Sequence, residues 1–577
     1  MAGPDAAFAA KLAHRTRHNE VLMLYFLAAM LGLVVVFSAA HLLRRSRDGE
    51  AASSSPLVRL SRCFRRFALR SCRGVPTLGH ALLVGLYVMA NCLVFFVHLD
   101  GGGDMPRLSN VGSRTAWLRL SLGNLVVVVV LGLKVTPLAL LTGRSYDRLN
   151  VLHRVAGATT VSLVILHASC YTAYFVGTGR GQRLLRSSDI CGMVAGLSML
   201  GLAAAGFFLR RRFYEVFYYL HISLWLLALV MTALHQPDLD RHAVVVLVAV
   251  VGGVWALDRL LRLVRFAIGA VGNSARLTTL PDQSTRVILA KPPLGASSGM
   301  HCFLWLPGMR PGQSHPFTIA GLNPPELIVA PAGGFARVLH GYADANAGNS
   351  VLAAVEGPYG AGPSPAAYSS VVFIAGGSGI TFTLGSALDM LRTDQNQRVL
   401  FVWIVKTTAS FDSLRHRLAT LRDDPRVTLR LFVTRPPPTP ATPATPASIH
   451  EPVELLTLSL PTTHSSADSD QDLDPEKAWS GPTLRSDKWQ PPSDVHVQTT
   501  RVLTNRPSNV NGIAIAYERP NVASLIRAAI DDTPPDRRAL VLGCGPGPLM
   551  TVVRNTTASC IRGDGPAVDL HIENFAW

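Results

Sequence analysis

Four histidines carry the first chemistry legible in this sequence. His153 and His167 stand on one apolar segment, His221 and His235 on another, and each pair is fourteen residues apart. Fourteen helical steps return to within roughly 40° of the same face and rise about 21 Å. Two such helices side by side present two facing His–His pairs, stacked at different depths of a bilayer core about 30 Å thick. A lone histidine in an apolar helix is ordinarily a core residue with a satisfied hydrogen bond. One interval repeated on two membrane-length segments is different, because polar groups in lipid are costly and tend to be functional. The chemistry that fits is ligation of iron in two hemes, at His153 with His221 and His167 with His235. Bis-imidazole ligation leaves no open axial position and so suits electron transfer. A di-metal carboxylate site does not fit, since these segments are almost free of acidic residues. Thr160 and Ala228 lie midway between the ligands, so a bridging aromatic ring must come from elsewhere. Arg154 reads either as the partner of a heme propionate or as a snorkelling cation.

A second group of motifs has the texture of nucleotide binding. Ser314-His315-Pro316-Phe317-Thr318 follows the turn Pro311-Gly312. Gly333-Gly334-Phe335-Ala336-Arg337 falls at an expected helix start, where free N–H groups hold a pyrophosphate or a tight turn simply caps the helix. Val371–Ala375 reads as a buried strand, and Gly376-Gly377-Ser378-Gly379-Ile380-Thr381 follows at once before a helical stretch. Strand, glycine turn and helix in succession form the context of a nucleotide phosphate site. A further strand, Leu540-Val541-Leu542, ends in Gly543-Cys544-Gly545-Pro546-Gly547-Pro548, which leaves Cys544 at a bare strand end where a nicotinamide could lie. The sequence closes on Glu573-Asn574-Phe575-Ala576-Trp577, whose aromatic rings are either frayed or stacked on a flavin.

The elements that must position these residues follow from composition. The chain has 577 residues, only 16% of them charged, and a net charge of +17. Its mean hydropathy of +0.28 marks a membrane protein. The arginines cluster beside apolar segments rather than on one soluble face, which excludes nucleic acid as the partner and leaves membrane lipid. Apolar runs at 21–43, 78–98, 116–142, 152–176, 190–209, 216–235 and 244–264 give an expectation of seven spans, the third tilting or breaking near Pro137. The connection after the first run holds nine arginines from Arg44 to Arg73, and Arg144, Arg148, Arg210–Arg212 and Arg259–Arg265 follow in every second connection, all on one side. By the positive-inside rule the N-terminus is outside and the C-terminal part cytosolic, although 177–189 still holds Arg180, Arg183 and Arg186. His41, His80 and His98 lack the paired spacing and read as structural or interfacial. The eight cysteines show neither CxxC nor zinc spacing. The first apolar run has no small-residue cleavage site of a secretory signal. From about 280 the texture changes to short alternating strands. Residues 436–500, rich in Pro, Thr, Ser and Asp, read as a disordered insert. The expected division is 1–77 (first span and Arg-rich loop), 78–266 (heme domain), 275–365 (FAD domain) and 366–577 (nucleotide domain carrying the insert).

Taken together, the histidine pairs, His315–Thr318, Gly376–Thr381, Cys544–Pro548 and Phe575-x-Trp577 resemble the fungal ferric reductase transmembrane family, within the superfamily that also holds the NADPH oxidases. The resemblance covers roughly 80–577 without the insert. It implies an all-α heme-binding transmembrane bundle, then a ferredoxin-reductase-like FAD β-barrel and an α/β NADP-binding domain. By the same resemblance, His315, Pro316, Phe317 and Thr318 hold the flavin and ribityl-phosphate region, and Gly333, Gly334 and Phe335 the FAD pyrophosphate. Gly376 to Thr381, with Gly543 and Gly545, bind NADPH. Cys544 lies by the nicotinamide, and Arg519-Pro520 faces the 2′-phosphate. Glu518 stands where the family usually has glycine, and Ala336 replaces its usual threonine. Both histidine intervals here have thirteen intervening residues, whereas the oxidases usually pair thirteen with twelve. That feature and the extra N-terminal span favour metal reduction: electrons pass from cytosolic NADPH through FAD and two hemes b to extracytoplasmic ferric or cupric chelates. A superoxide-generating NADPH oxidase is the alternative, and a seven-span transporter with a nucleotide-sensing tail a distant one. The family also implies the plasma membrane, and an iron permease or multicopper oxidase as neighbour.

Overall fold

The structure is a computed structural model describing residues 4–46, 56–97, 107–115, 120–142, 146–235, 243–331, 333–360, 362, 365–392, 396–435, 509–510 and 512–573. The insert at 436–500, His98, Phe575 and Trp577 lie outside the described residues.

The N-terminal half is helical: α1 (Pro4–Ser46), α2 (Pro56–Ala68), α3 (Leu78–Phe96), α4 (Arg107–Thr115), α5 (Leu122–Gly132), α6 (Pro137–Thr142), α7 (Tyr146–Gly177), α8 (Ser187–Ala204), α9 (Tyr214–Leu234) and α10 (Ala243–Ala270). Among the described residues, six helices are long and apolar enough to cross a membrane, drawn from α1, α3, α7, α8, α9 and α10. The third expected span, 116–142, breaks before Pro137 as expected. Its described part is the 11-residue α5, a break over Leu133–Thr136, and the short α6. Pro137 has no N–H to continue the helix and starts a new one. The backbone freed by the break is taken up from another helix: Val135 N donates to Asp258 Oδ1 of α10 at 2.8 Å. His80 has a structural role, its backbone N–H donating to the N-cap Thr77 of α3.

Strands β1 (Ser274–Thr279), β2 (Thr285–Leu289), β3 (His301–Trp305), β4 (Ser314–Leu322), β5 (Pro325–Val329), β6 (Ser350–Leu352) and β7 (Ala354–Tyr359) form an antiparallel sheet in the order β6-β1-β2-β5-β4-β3-β7. Only Ala353 separates β6 from β7, yet they stand at opposite ends of that order, so the sheet curls until its edges nearly meet. Helix α11 (Phe335–Ala345) buries Phe335, Leu339 and Ala343 against the interior of the curl.

The third unit is α/β. Strands β8 (Ser370–Gly376), β9 (Arg398–Val405), β10 (Val427–Val433), β11 (Asn509–Val510), β12 (Ile513–Ala516), β13 (Arg538–Cys544) and β14 (Ala567–Glu573) order as β11-β12-β10-β9-β8-β13-β14, parallel except at β11. All residues of β8 are buried, as expected of a strand covered on both faces. Helices α12 (Ile380–Leu391), α13 (Ala409–Ser413), α14 (Arg415–Asp423), α15 (Val522–Asp531) and α16 (Gly547–Cys560) accompany the sheet. Because β9 and β13 flank β8 on opposite sides, chain direction around the sheet switches beside β8. Ligands of doubly wound folds bind at such a switch, outside the carboxyl ends of the strands.

Two links tie the membrane helices to the soluble part. Helix α10 runs straight to the curled sheet, where Gly269 has no room for a Cβ against the Val355 carbonyl. One turn and more before, Arg262 meets Glu356 of β7 in a two-pronged ion pair at 2.5 and 2.8 Å. On the other side, α2 lies against the α/β unit. Arg62 donates to the carbonyls of Arg562, Gly563 and Gly565, and Arg65 to Val568 O and the Asp569 carboxylate.

Candidate functional site

Helices α7 and α9 each present one buried stripe. On α7 it runs His153, Ala156, Thr160, Val164, His167; on α9 it runs His221, Trp225, Ala228, Thr232, His235. The residues between the histidines are at most 8% exposed. The close neighbours of α7 are α4, α5 and α8, while α9 packs on α8 and α10. The two stripes therefore face a space between helices. At its outer end the His167 and His235 rings lie 6.3 Å apart, centre to centre. At its inner end His153 and His221 line one cavity. The structure thus brings together both expected pairs. Thr160 bonds its own helix at Ala156 O, and Trp225, one turn from His221, supplies an aromatic ring on the same face, away from the midpoint.

The imidazoles are oriented by backbone carbonyls. Nδ1 of His153 lies 2.9 Å from Val128 O, that of His167 lies 2.9 Å from Gly112 O, and that of His235 lies 2.7 Å from Ser188 O. A carbonyl only accepts, so each Nδ1 carries the hydrogen and each Nε2 keeps a lone pair. This is the arrangement found behind metal-ligating imidazoles. His221 differs: its buried Nδ1 has no hydrogen-bond partner among the described residues. A centre-to-centre distance of 6.3 Å leaves space for one metal ion between the outer rings, with a bond of about 2 Å on each side. Glycines make the room. A Cβ on Gly132 would stand 3.2 Å from His153, and one on Gly192 would stand 2.7 Å from His235. The donor set and its supports fit two bis-imidazole irons.

The cavity, about 3000 Å³ in volume, continues from the inner pair past Arg154, Arg210 and Arg211 to the curled sheet and the α/β unit. His315, Pro316, Phe317 and Thr318 of β4 and Gly333, Gly334 and Phe335 all line it. His315 stacks on Phe335 at 4.2 Å, and Phe317 lies over the same ring at 6.1 Å. Burial lowers the His315 pKa, against the pull of Glu215. Gly334 caps α11 at φ +62°, and a Cβ on Gly333 would touch nothing, so the first amides of α11 are open to an anion. This cradle fits a flavin dinucleotide.

At the switch point, Gly377 and Ser378 are exposed while Gly376, Gly379, Ile380 and Thr381 are buried. Ser378 and Thr381 line the cavity, and Thr381 Oγ1 donates to Ser378 O at 3.0 Å. Part of the glycine pattern serves packing between loops. A Cβ on Gly545 would stand 3.0 Å from Gly376, and one on Gly379 would collide with the Cys544 carbonyl. Gly543 leaves room for Met550, whose sulfur would stand 3.1 Å from an added Cβ. The carboxyl end of β13 is not bare: Cys544 is 2% exposed, and burial together with nearby Glu573 pushes its thiol up to about 12. It is a neutral thiol at physiological pH. Arg519 is exposed just beyond β12, whose carboxyl end lies on the same edge as those of β8 and β13 because the strands run parallel.

Sequence reasoning passed over one cluster where the three units meet. His301 of β3 stacks on Tyr359 at 5.8 Å, Tyr359 donates to Glu356, and the Lys134 ammonium sits 3.6 Å over the Phe303 ring. His571 Nε2 is 2.8 Å from Glu573 Oε1, in register with Cys544. Burial opposes ionisation of Glu573 and Glu356, yet His571 and Arg262 respectively hold them below the ordinary carboxylate range. Residues from β3, β7, β14, α10 and the break after α5 converge here, and no local pattern announces them.

Comparison with known proteins adds three matches in chain order. Residues 118–232 match the family model of a ferric reductase like transmembrane component, 270–363 that of an FAD-binding domain, and 368–558 that of a ferric reductase NAD binding domain. Ferric/cupric reductase transmembrane component 1 of Candida albicans is 28% identical, over 63% of this chain and 49% of that protein. Ferric/cupric reductase transmembrane component 2 of Saccharomyces cerevisiae is 23% identical, over 76% of this chain and 57% of that protein. A probable cell surface ferric reductase of Aspergillus oryzae is 28% identical, over 51% and 44%. The chain spans about half the length of these curated relatives.

Proposed function

The chain belongs to the ferric reductase transmembrane family, and on that premise we propose that it carries electrons from NADPH on the inner side of a membrane to ferric or cupric chelates on the outer side. The observation that carries the reading is the outer histidine pair: rings 6.3 Å apart, each Nδ1 committed to a carbonyl, so that each Nε2 keeps the lone pair a metal needs.

His153 with His221, and His167 with His235, would hold two hemes b, and His315–Thr318 with Gly333–Phe335 would hold FAD. Bound there, these groups supply acceptance of a hydride and its release as single electrons. The chain's own residues position and insulate. The carbonyls of Val128, Gly112 and Ser188 fix three of the imidazoles. Gly377, Ser378 and the amino end of α12 receive the NADPH phosphates, and Arg519 faces the 2′-phosphate. Cys544, with Phe575 beyond the described residues, positions the nicotinamide against the flavin. No protein acid or base is needed for the outward step, because one-electron reduction of a chelate moves no proton. The plasma membrane is the site of action in this reading, supported by the cell surface relative. Transfer of the reduced metal to an iron permease or multicopper oxidase rests on the family resemblance alone.

His167→Ala is expected to abolish reduction of an impermeant ferric chelate while NADPH still bleaches the flavin. The wild-type rate is expected to be unaffected by superoxide dismutase. Surface reduction that survives loss of the outer pair would overturn the relay, and dismutase sensitivity would point to superoxide instead.

A further inference from the structure

The side on which the proposed acceptor arrives is fixed by the fold. Arg148, at the start of α7, donates to Ile572 O of β14, so that end of α7 faces the soluble units. Thirty-two residues of helix rise about 48 Å. The connection between α7 and α8 therefore lies on the far side of the membrane. Short far-side connections are ordinarily poor in arginine, yet this one exposes Arg180, Arg183 and Arg186. Among the described residues, Asp189 in the first turn of α8 lies beside them in sequence.

These cations stand next to the outer histidine pair. Ser188, two residues past Arg186, gives its carbonyl to His235 Nδ1 at 2.7 Å. From the other ligand an aromatic ladder climbs α7 at four-residue spacing. The His167 ring meets Tyr171 at 5.1 Å, Tyr171 stacks on Phe175 at 5.6 Å, and the Arg183 guanidinium lies over Phe175 at 6.0 Å. Three exposed guanidiniums, one of them held on an aromatic face, at the point where the buried stripe reaches water, form a surface for a compact anion.

We propose that Arg180, Arg183 and Arg186 form a docking surface for anionic ferric chelates, seated at the top of the His167–Tyr171–Phe175 ladder. This rests on the function proposed above and names its substrate class: ferric complexes of polycarboxylates, in preference to cationic acceptors. The chemistry is outer-sphere. Each chelated Fe(III) takes one electron and becomes Fe(II), no bond to the protein forms, and one NADPH serves two chelates, releasing NADP⁺ and a proton.

The test uses the full chain in lipid nanodiscs, wild type and the triple variant Arg180→Gln, Arg183→Gln, Arg186→Gln, with NADPH and two acceptors. For the Fe(III)–EDTA anion, the variant is expected to raise KM by about tenfold and to lose the wild-type increase of KM with salt. For the hexaammineruthenium(III) cation its KM falls. KM values that move together for both acceptors, or that do not move, overturn the docking surface. A second readout needs no electron flow: redox-inert Ga(III)–EDTA titrated calorimetrically without NADPH binds the wild type saturably and the variant weakly. Absence of saturable binding to the wild type overturns the surface even if electron flow is intact. Binding without any NADPH-driven reduction would sustain the surface and overturn the function on which it rests.

Discussion

An imidazole in an apolar bundle must have its two nitrogens used differently. A carbonyl on Nδ1 fixes the tautomer and the ring plane, and a glycine opposite gives the ring its space. Gly192→Ala places a Cβ 2.7 Å from the His235 ring, and bound heme per chain is expected to fall from about two to about one by pyridine hemochrome assay. Gly157→Ala, where a Cβ meets nothing, is expected to change nothing. His301 makes a second prediction. Burial lowers its pKa to about 4, with Glu573 pulling upward and Lys134 downward. A neutral folded imidazole loses stability as pH falls from about 6.5, where the unfolded form begins to protonate, toward about 4, by up to about 3 kcal/mol. The depressed carboxylates Glu356, Glu573 and Asp569 act mainly below about pH 5, where unfolded carboxylates begin to protonate. Melting temperature is therefore expected to drop between pH 7 and pH 5 in the wild type, and clearly less in His301→Phe. The histidine pairs were legible in sequence because their spacing is local. Their carbonyl partners were not, since Val128 and Gly112 lie 25 and 55 positions from their histidines.

Among the elements, α10 does the mechanical coupling. Gly269 is the point of closest approach to β7, and what a side chain would strike there is backbone, which cannot swing aside. Gly269→Ala is expected to cost at least about 1–3 kcal/mol of docking, read as faster protease release of the curled sheet and α/β unit from membranes. The same scale explains why the third run is broken. Hydropathy sums side chains along 116–142 and reports one apolar run. It is blind to Asp258, 123 positions away, which accepts the Val135 amide and makes a break affordable in the bundle. The strand–glycine–helix order of the α/β unit was readable because a parallel sheet imposes it. The closing of Gly376 on Gly545 was not, since that depends on β8 and β13 becoming neighbours.

At the scale of the whole molecule, the soluble units are held from two sides, by α10 beneath the curled sheet and by α2 against β14. Asp569 is the keystone of the second contact, accepting from Arg65 at 2.5 Å, Arg538 at 3.0 Å and Tyr368 at 3.1 Å. Its own burial disfavours charge, but the arginines keep it ionised. Asp569→Asn removes the charge without the shape and is expected to cost about 3 kcal/mol or more, since two guanidinium groups lose their counter-ion. Hydrogen exchange of β14 and α2 should rise together; a rise confined to β14 would mean that α2 is only a bystander.

The tie between Arg62 or Arg65 and residues 562–569 spans some five hundred positions. A ribosome working from the first span onward delivers α2 to the membrane long before its partner strand exists. Those arginines must wait, solvated or against lipid headgroups, until β14 has been made. A strand translated some five hundred positions later thus locks α2 in place, and a chain released before β14 would sit in the membrane with its nucleotide unit adrift.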